Sequence, residues 1–231
     1  MGEPDFLRHS GWVGQTDLAE TLTIVGCGAV GSHVALCAAR MGFTKFQLFD
    51  NDQVEPHNLP NQAFNVKHIG WSKVEALQDV LREFNPQIEV VTHKCFFTSA
   101  EHKSTVEGPL VIATDSMSSR ADLLSTFSEN LDISGVFESR LGFDYGYVNI
   151  IDNLSKSACD KWAKTLLPDS AVPEGPCNQK ICTTLVQMTS SLLVHKICER
   201  ARSFRLEEPW TFAPSTMFDV SNNSFRTISF K

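Results

Sequence analysis

Short apolar runs alternate with longer amphipathic stretches along most of the chain. The first run, 21–25, is apolar and β-branched, which predicts a buried strand. Residues 29–41 then carry apolar side chains at helical spacing, and residues 45–50 predict a second strand that ends in an acidic residue. A strand, a helix and a second strand in this order predict the start of a parallel α/β sheet.

The same alternation continues to the end of the chain, with one interruption. Residues 153–181 are dominated by serine, proline, glycine and charged residues, which predicts an irregular segment. Besides the elements above, we predict a brief helix near 15–20, helices at 71–84, 116–130 and 181–204, and strands at 88–95, 110–114, 133–138, 145–152, 210–220 and 225–230.

This order of elements predicts a Rossmann-like, doubly wound α/β sheet with a parallel N-terminal part and antiparallel C-terminal strands. We interpret residues 1–231 as a single domain. Its predicted parts are a lead-in at 1–20, a nucleotide-binding core at 21–152, a loop at 153–181, and a helix with a terminal hairpin at 182–231.

A glycine-rich turn joins the first strand to the first helix. Its G-x-G-x-x-G pattern lets backbone N–H groups approach a phosphate, and the helix N-terminus adds partial positive charge. Asp50 ends the second strand, about where an acceptor for a ribose hydroxyl belongs. A tight turn without a ligand is the plain alternative. The predicted nucleotide-binding residues of the turn are Gly26, Gly28, Ala29, Val30 and Gly31.

The polar residues after the second strand separate this chain from an ordinary dehydrogenase. They read DNDQVEPHNLPNQ at 50–62 and resemble the signature D-x-D-x-V-x-x-x-N-L-x-R-Q of the ThiF/MoeB/HesA family. Members of that family are adenylyltransferases related to the ubiquitin-activating E1 enzymes. The phrases GWSKVEA at 70–76 and VIATDS at 111–116 are similar to two further family motifs.

The resemblance implies a reaction and a set of roles. ATP, with Mg²⁺, would transfer AMP to the C-terminal carboxylate of a ubiquitin-like or sulfur-carrier protein that ends in a glycine tail. Pyrophosphate would leave, and a cysteine could then accept the activated tail as a thioester. The resemblance assigns Asp50 to the ribose, Asn58, Gln62 and Lys73 to the phosphates, Asp115 to Mg²⁺, and Asp52 to a supporting role beside Asp115.

Two of these side chains also have ordinary explanations. Lys73 opens a helix, where a lysine is often a solvated surface group, although its charge could equally neutralise phosphates. Asp115 ends a strand beside the glycine-rich turn, where a Mg²⁺ ligand would lie, but it could also cap the next helix. On that helix we place Arg120 and Asp122 on the polar side.

Two arginines of the family pattern are absent. Asn61 stands where N-L-x-R-Q has its arginine, and Gly11 stands where the family's lead-in motif has another. Each normally brings a positive charge to the triphosphate, so a replacement is needed. Family members pair through this fold, which implies a homodimer or a heterodimer whose partner chain could supply the charge. Within the chain the candidates are Arg8, His57, Lys67 and Arg140.

Seven cysteines without regular spacing predict free thiols in a reducing compartment. With no pair of C-x-x-C motifs, we expect no zinc site. The resemblance makes 153–181 a crossover loop that passes the bound tail, so Cys177 is the first candidate for a thioester and Cys159 the second, against the alternative of incidental thiols. We place Cys182 and Cys198 in the core of the long helix.

Composition narrows the hypotheses further. The net charge is −7 and no lysine or arginine cluster occurs, so we expect no nucleic-acid partner. The sequence lacks an apolar stretch of about 18 residues, so we expect no membrane segment and a cytoplasmic location. The leading hypothesis is an E1-like adenylyltransferase. The alternatives are a catalytically reduced E1-like subunit that scaffolds an active partner and, less favoured, a NAD-dependent oxidoreductase.

Overall fold

The computed structural model describes residues 4–152, 154–171 and 182–230. Its strands are β1 Leu22–Val25, β2 Lys45–Phe49, β3 Glu89–His93, β4 Gly108–Ile112, β5 Ile133–Leu141, β6 Tyr145–Ile151, β7 Ser215–Asp219 and β8 Ser224–Ile228. Its α-helices are α1 Ala29–Met41, α2 Lys73–Phe84, α3 Ser99–His102, α4 Met117–Glu129, α5 Lys156–Ala163 and α6 Thr183–Leu206, and short 3₁₀ turns lie at Gln15–Leu18, Pro56–Asn58, Val66–His68 and Asp169–Ala171.

All eight strands belong to one sheet, in the order β3-β2-β1-β4-β5-β6-β7-β8. The pairs from β3 to β5 are parallel, and the pairs from β5 to β8 are antiparallel. The predicted fold class, a doubly wound sheet with a parallel N-terminal part and antiparallel C-terminal strands, is therefore confirmed.

Each face of the sheet carries its own hydrophobic core, because successive side chains of a strand point to opposite faces. Ile24 and Val111 belong to the core shared with α1, α2 and α6. Their neighbours Val25 and Ile112 belong to the other core, which α4 and α5 cover. Burial on both faces explains why β1 and β4 read as continuous apolar runs rather than as alternating patterns.

The structure corrects the prediction of an irregular segment over 153–181. Within the described part of that stretch, α5 forms, and its Cys159 and Trp162 are buried one helical turn apart. Ser155 begins the helix by accepting a hydrogen bond from the backbone N–H of Ala158. Residues 172–181, which include Cys177, lie outside the described residues.

Other boundaries differ by a few residues. β5 continues to Leu141 and so brings its carboxyl end to the site described below. β7 begins only at Ser215, and ahead of the strand Trp210 and Phe212 stack on each other. None of the helices within the described residues is both long and apolar enough to cross a membrane.

Candidate functional site

A cavity of about 490 Å³ opens at the carboxyl ends of the central strands. It lies where β1 and β4 are neighbours, which is the point at which the strand order reverses. Open α/β sheets bind ligands at this point. The predicted site residues that line the cavity are Gly26, Gly28, Ala29, Val30, Asp50, Asp52, Asn58, Gln62, Lys73 and Asp115.

The three glycines of the turn have three different reasons to be glycine. Gly26 has a φ of +93°, and an added Cβ would lie 2.7 Å from the carbonyl oxygen of Ala113. Gly28 faces the cavity, and none of the described residues lies within 4 Å of an added Cβ. Gly31 does not line the cavity, and its added Cβ would lie 1.8 Å from the carbonyl oxygen of Gly26. The structure thus gives Gly31 a packing contact between helix and turn, whereas the sequence pattern placed it at the nucleotide.

Asp50 is tied to the glycine-rich turn. Its Oδ2 accepts a hydrogen bond of 2.7 Å from the backbone N–H of Cys27, and its Oδ1 accepts one of 2.8 Å from that of Asp52. Burial raises the pKa of the Asp50 carboxyl, against the opposing effects of these N–H groups and of Lys73. The carboxylate lies between β1 and the polar loop and lines the cavity.

Lys73 is buried, with 8% of its surface exposed, so the solvated-surface alternative is wrong. Its Nζ lies 2.7 Å from Oδ2 of Asp52, and its backbone N–H donates to the Asp52 carbonyl oxygen. Asp52 itself remains more than half exposed. The pair places a desolvated ammonium group at the cavity wall, held from one side by a solvated carboxylate.

The polar loop leaves hydrogen-bonding atoms unused around the cavity. Asn58 is buried, and its Oδ1 accepts a hydrogen bond from the backbone N–H of Glu55, which holds the loop in its 3₁₀ turn. The Oδ1 of Asn61, the Oε1 of Gln62 and the Oγ1 of Thr114 are buried and have no hydrogen-bond partner in the part of the chain that the structure describes. Buried polar atoms normally have partners, so these orphans fit a polar ligand in the cavity.

Two hydrogen bonds fix this loop to neighbouring helices. The backbone N–H of Ala63 donates to Oγ of Ser32 in α1, at 3.0 Å. The hydroxyl of Thr183, the first residue of α6, donates to the Pro60 carbonyl oxygen at 2.7 Å. The N-terminus of α6 therefore lies against the loop that lines the cavity.

Asp115 follows β4 at the cavity and is exposed. The N-cap of α4 is its neighbour Ser116, which accepts a hydrogen bond from the backbone N–H of Ser119, so the capping alternative for Asp115 is wrong. Among the described residues no cluster of three or more His, Cys, Asp or Glu side chains could hold a metal ion. One carboxylate beside bound phosphates is nevertheless the usual protein contribution to a Mg²⁺ site.

Arg120 is the cavity residue whose place the sequence pattern misjudged. We predicted it on the polar side of α4, but it is 5% exposed and lines the cavity. Its Nη2 donates to the carbonyl oxygens of Thr114, at 2.5 Å, and Ser139, at 3.1 Å. The available signal was Glu138, an acidic residue inside an apolar strand, because a buried carboxylate requires a positively charged partner.

Two arginines share the carboxylate of Glu138. Glu138 is fully buried, and its Oε1 lies 2.9 Å from Nε of Arg120 and 2.8 Å from Nε of Arg140. Asn149 and Trp162 also donate hydrogen bonds to its Oε2. Five polar groups thus meet inside the protein directly behind the cavity.

The residues proposed to replace the missing arginines are directed elsewhere, with one exception. Lys67 pairs with Asp79 and Glu83 on the outer side of α2. Arg140 donates to the carbonyl and hydroxyl oxygens of Thr165. Arg8 is exposed in the lead-in. Only His57 lines the cavity, where it is exposed and contacts Glu55.

The described cysteines divide by accessibility. Cys159 is buried in α5 and burial raises its pKa, which contradicts its candidacy for a thioester. Cys198 lies in the core as expected, and burial raises its pKa to about 12. Cys182 is exposed rather than buried, because it is the N-cap of α6 and not part of its apolar face. The Thr184 hydroxyl and backbone N–H groups of α6 lower its pKa.

Comparison with known proteins gives one family match over nearly the whole chain. The model of the ThiF family matches residues 8–228. Ubiquitin-like modifier-activating enzyme 5 of Branchiostoma floridae is 27% identical over 205 residues, which are 81% of this chain and 50% of that protein. The adenylyltransferase and sulfurtransferase MOCS3 of Aedes aegypti is 35% identical over 118 residues, 49% of this chain and 27% of that protein. The chain spans about half the length of the modifier-activating relatives it matches.

Solved structures show the same fold at low sequence identity. Escherichia coli MccB, in a crystal structure with AMPCPP and selenomethionine-labelled MccA, has a TM-score of 0.71 at 17% identity, over 94% of this chain and 65% of that chain. E. coli TcdA, a tRNA N6-threonylcarbamoyladenosine dehydratase solved in complex with AMP, has a TM-score of 0.66 at 20% identity, over 83% of this chain and 90% of that chain.

Proposed function

Because the chain belongs to the ThiF family, we propose that it is an E1-like enzyme that adenylates the C-terminal carboxylate of a ubiquitin-like or sulfur-carrier protein. The observation that carries the proposal is the cavity at the strand-order reversal, with the buried Lys73 at one side and Asp115 at the other. MccB and TcdA, which share the fold, were solved with AMPCPP and with AMP, and this supports ATP as the nucleotide here.

The proposed reaction needs positioning and charge neutralisation more than covalent help from the protein. A carboxylate oxygen of the carrier's glycine tail attacks the α-phosphorus of ATP, the bond to the β-phosphate oxygen breaks, and pyrophosphate leaves. Gly26 and Gly28 admit the phosphates, and Asp50 accepts a hydrogen bond from the ribose. Lys73 neutralises the triphosphate, with Asn58 and Gln62 as polar contacts. The sulfur of a thiol then attacks the acyl carbon, AMP leaves and a thioester forms, with Cys177 as the predicted acceptor.

The residues present also fit a Mg²⁺ ion. A bound Mg²⁺ would spread the negative charge of the phosphates. Asp115 is the carboxylate that would hold it, because it is exposed at the cavity wall and is not used as a helix cap. Asp52, which we expected to assist, is paired with Lys73 instead and would assist through that lysine.

Asp115→Asn is expected to raise the Mg²⁺ concentration for half-maximal ATP–pyrophosphate exchange by about tenfold or more, since an amide is a weaker ligand for this hard cation than a carboxylate. A Mg²⁺ titration of exchange measures the change. Asp122→Asn is the control, because Asp122 lies on α4, the helix that follows Asp115, but its carboxylate accepts a hydrogen bond from Ser99 outside the cavity. An unchanged titration for Asp115→Asn would remove Asp115 from the metal site.

A second function is favoured by the two absent arginines. With Gly11 and Asn61 in their places, the chain could serve as an E1-like subunit that binds nucleotide or a partner chain and supports catalysis in that partner. A dimer would suit both functions. In the first, a second copy or a related chain contributes charge to this cavity, and in the second this chain scaffolds the cavity of its partner.

Calorimetric titration with Mg·ATP, and with NAD for comparison, tests the proposal. We expect Mg·ATP to bind and NAD not to bind, followed by ATP–pyrophosphate exchange in the presence of ubiquitin-like proteins with Gly-Gly tails. ATP binding without exchange for any carrier would favour the scaffolding subunit. Binding of NAD alone would contradict both functions.

A further inference from the structure

The cavity contains a buried guanidinium group whose hydrogen-bonding capacity is only partly used. Arg120 lies at the end of the first turn of α4, and 6% of its side chain is exposed. Nη2 donates to two backbone carbonyl oxygens, which fix its position. Among the described residues, Nη1 contacts only the sulfur of Met117, at 3.7 Å, which is a weak acceptor.

The contact with Glu138 neutralises charge without satisfying every donor. Nε of Arg120 lies 2.9 Å from the carboxylate, yet no acceptor among the described residues is aligned with its N–H. Arg140 binds the same carboxylate through Nε. Since two guanidinium groups share one carboxylate, these three groups together carry one positive charge, and the carboxylates of Asp115 and Asp169 also lie close enough to act on Arg120.

The excess charge faces the cavity at Arg120 and not at Arg140. Arg120 lines the cavity together with Thr114, Asp115 and Ser139. Arg140 points away from it, and its Nη atoms are taken up by Thr165. The described part of the chain thus offers the cavity two desolvated cations, Lys73 near the end of β2 and Arg120 near the ends of β4 and β5.

We propose that Arg120, positioned by Glu138, binds phosphate oxygens of the nucleotide and supplies the positive charge that Gly11 and Asn61 do not. The proposal rests on the proposed function. Arginine suits this role because its guanidinium keeps its charge when buried, and Nη1 can donate to a phosphate oxygen while Nη2 stays bound to the two carbonyl oxygens. The cluster also holds Trp162 of α5, so the same buried carboxylate that orients Arg120 anchors the segment leading to residues 172–181.

Arg120→Gln and Arg140→Gln form a matched pair for the test. Each variant removes one guanidinium from Glu138 and leaves the other, so their effects on stability are comparable. We expect calorimetry to give Arg120→Gln about a tenfold or greater loss of Mg·ATP affinity with unchanged affinity for adenosine, since a charge-assisted hydrogen bond is lost. Arg140→Gln should keep both affinities within about twofold.

Measuring AMP affinity as well shows which phosphate group Arg120 contacts. An equal loss for AMP and ATP in Arg120→Gln places Arg120 at the α-phosphate, and a loss for ATP alone places it at the β- or γ-phosphate. If Arg120→Gln fails to fold, Arg120→Lys carries the test, because it keeps the charge but has a single nitrogen in place of the separate Nη1 and Nη2 groups. It should bind ATP more weakly than wild type and adenosine equally well.

Three results would overturn the role of Arg120. The first is wild-type ATP affinity in Arg120→Gln, or in Arg120→Lys where that variant carries the test. The second is an equal loss of ATP affinity in Arg120→Gln and Arg140→Gln, and the third is a loss of adenosine affinity as large as the loss of ATP affinity. A wild-type protein that binds neither Mg·ATP nor AMP would overturn the proposed function as well, which separates the two failures.

Discussion

Replacing Lys73 with methionine is expected to reduce ATP–pyrophosphate exchange by about 10²–10³-fold or more, because the reaction loses a desolvated cation beside the departing pyrophosphate. Methionine keeps the apolar stem and removes the charge. Asp52 loses its partner at 2.7 Å, but it is 57% exposed and stays solvated, so the stability cost is expected to be below about 1 kcal/mol.

Lys67→Met is the control for that substitution. Lys67 lies near the same helix and also pairs with carboxylates, yet it lies outside the cavity wall. Exchange should remain within about twofold of wild type, and both variants should give near-ultraviolet circular dichroism spectra like the wild type. Full exchange activity in Lys73→Met would take Lys73 out of the mechanism, and equal losses in both variants would indicate a general effect of charge.

Gly31→Ala is expected to destabilise the protein by more than about 3 kcal/mol, at the upper end for single substitutions. Its Cβ would lie 1.8 Å from the carbonyl oxygen of Gly26, a backbone atom that cannot move aside like a side chain. Relief requires the first turn of α1 to separate from β1, where Ile24 and Val30 are buried. Urea unfolding followed by circular dichroism measures the change.

Gly28→Ala is the matched comparison for that prediction. Gly28 has a φ of −77°, and no described residue lies within 4 Å of an added Cβ, so alanine should cost about 1 kcal/mol or less. Its methyl group would instead occupy space at the cavity wall and weaken ATP binding. The two variants therefore separate packing from ligand access. Equal stability of Gly31→Ala and Gly28→Ala would contradict the packing role of Gly31.

The elements around the glycine-rich turn were predictable because their signals are local. α1 runs from Ala29 to Met41, as its apolar spacing predicted, and Gly42 ends it at a φ of +116°. Strands buried on both faces produce apolar runs that are visible without knowing their neighbours. The carboxyl-end acids Asp50 and Asp115 follow from those boundaries, and both lie at the cavity.

α5 was not predictable in the same way. Apart from two alanines, its eight residues have only Cys159 and Trp162 as apolar side chains, and serine, lysine and aspartate make up the rest. Their burial depends on a position beside α4, where Phe127 meets the Trp162 ring edge-to-face. Because this packing partner lies 35 residues away in the sequence, the local pattern of apolar residues does not reveal the contact.

The sequence by itself determined the α/β sheet, the glycine-rich turn and the family, because each depends on residue types at short, regular spacing. Only the tertiary structure decided which charges are desolvated at the cavity. Burial of Lys73 and Arg120 depends on distant partners, Asp52 and Glu138, that folding brings together. The same holds for Gly31, which must be glycine because a carbonyl oxygen across the turn leaves no room for a Cβ atom. The electrostatics of the site thus follows from packing between distant residues, and it could not be predicted from the periodic pattern of the chain.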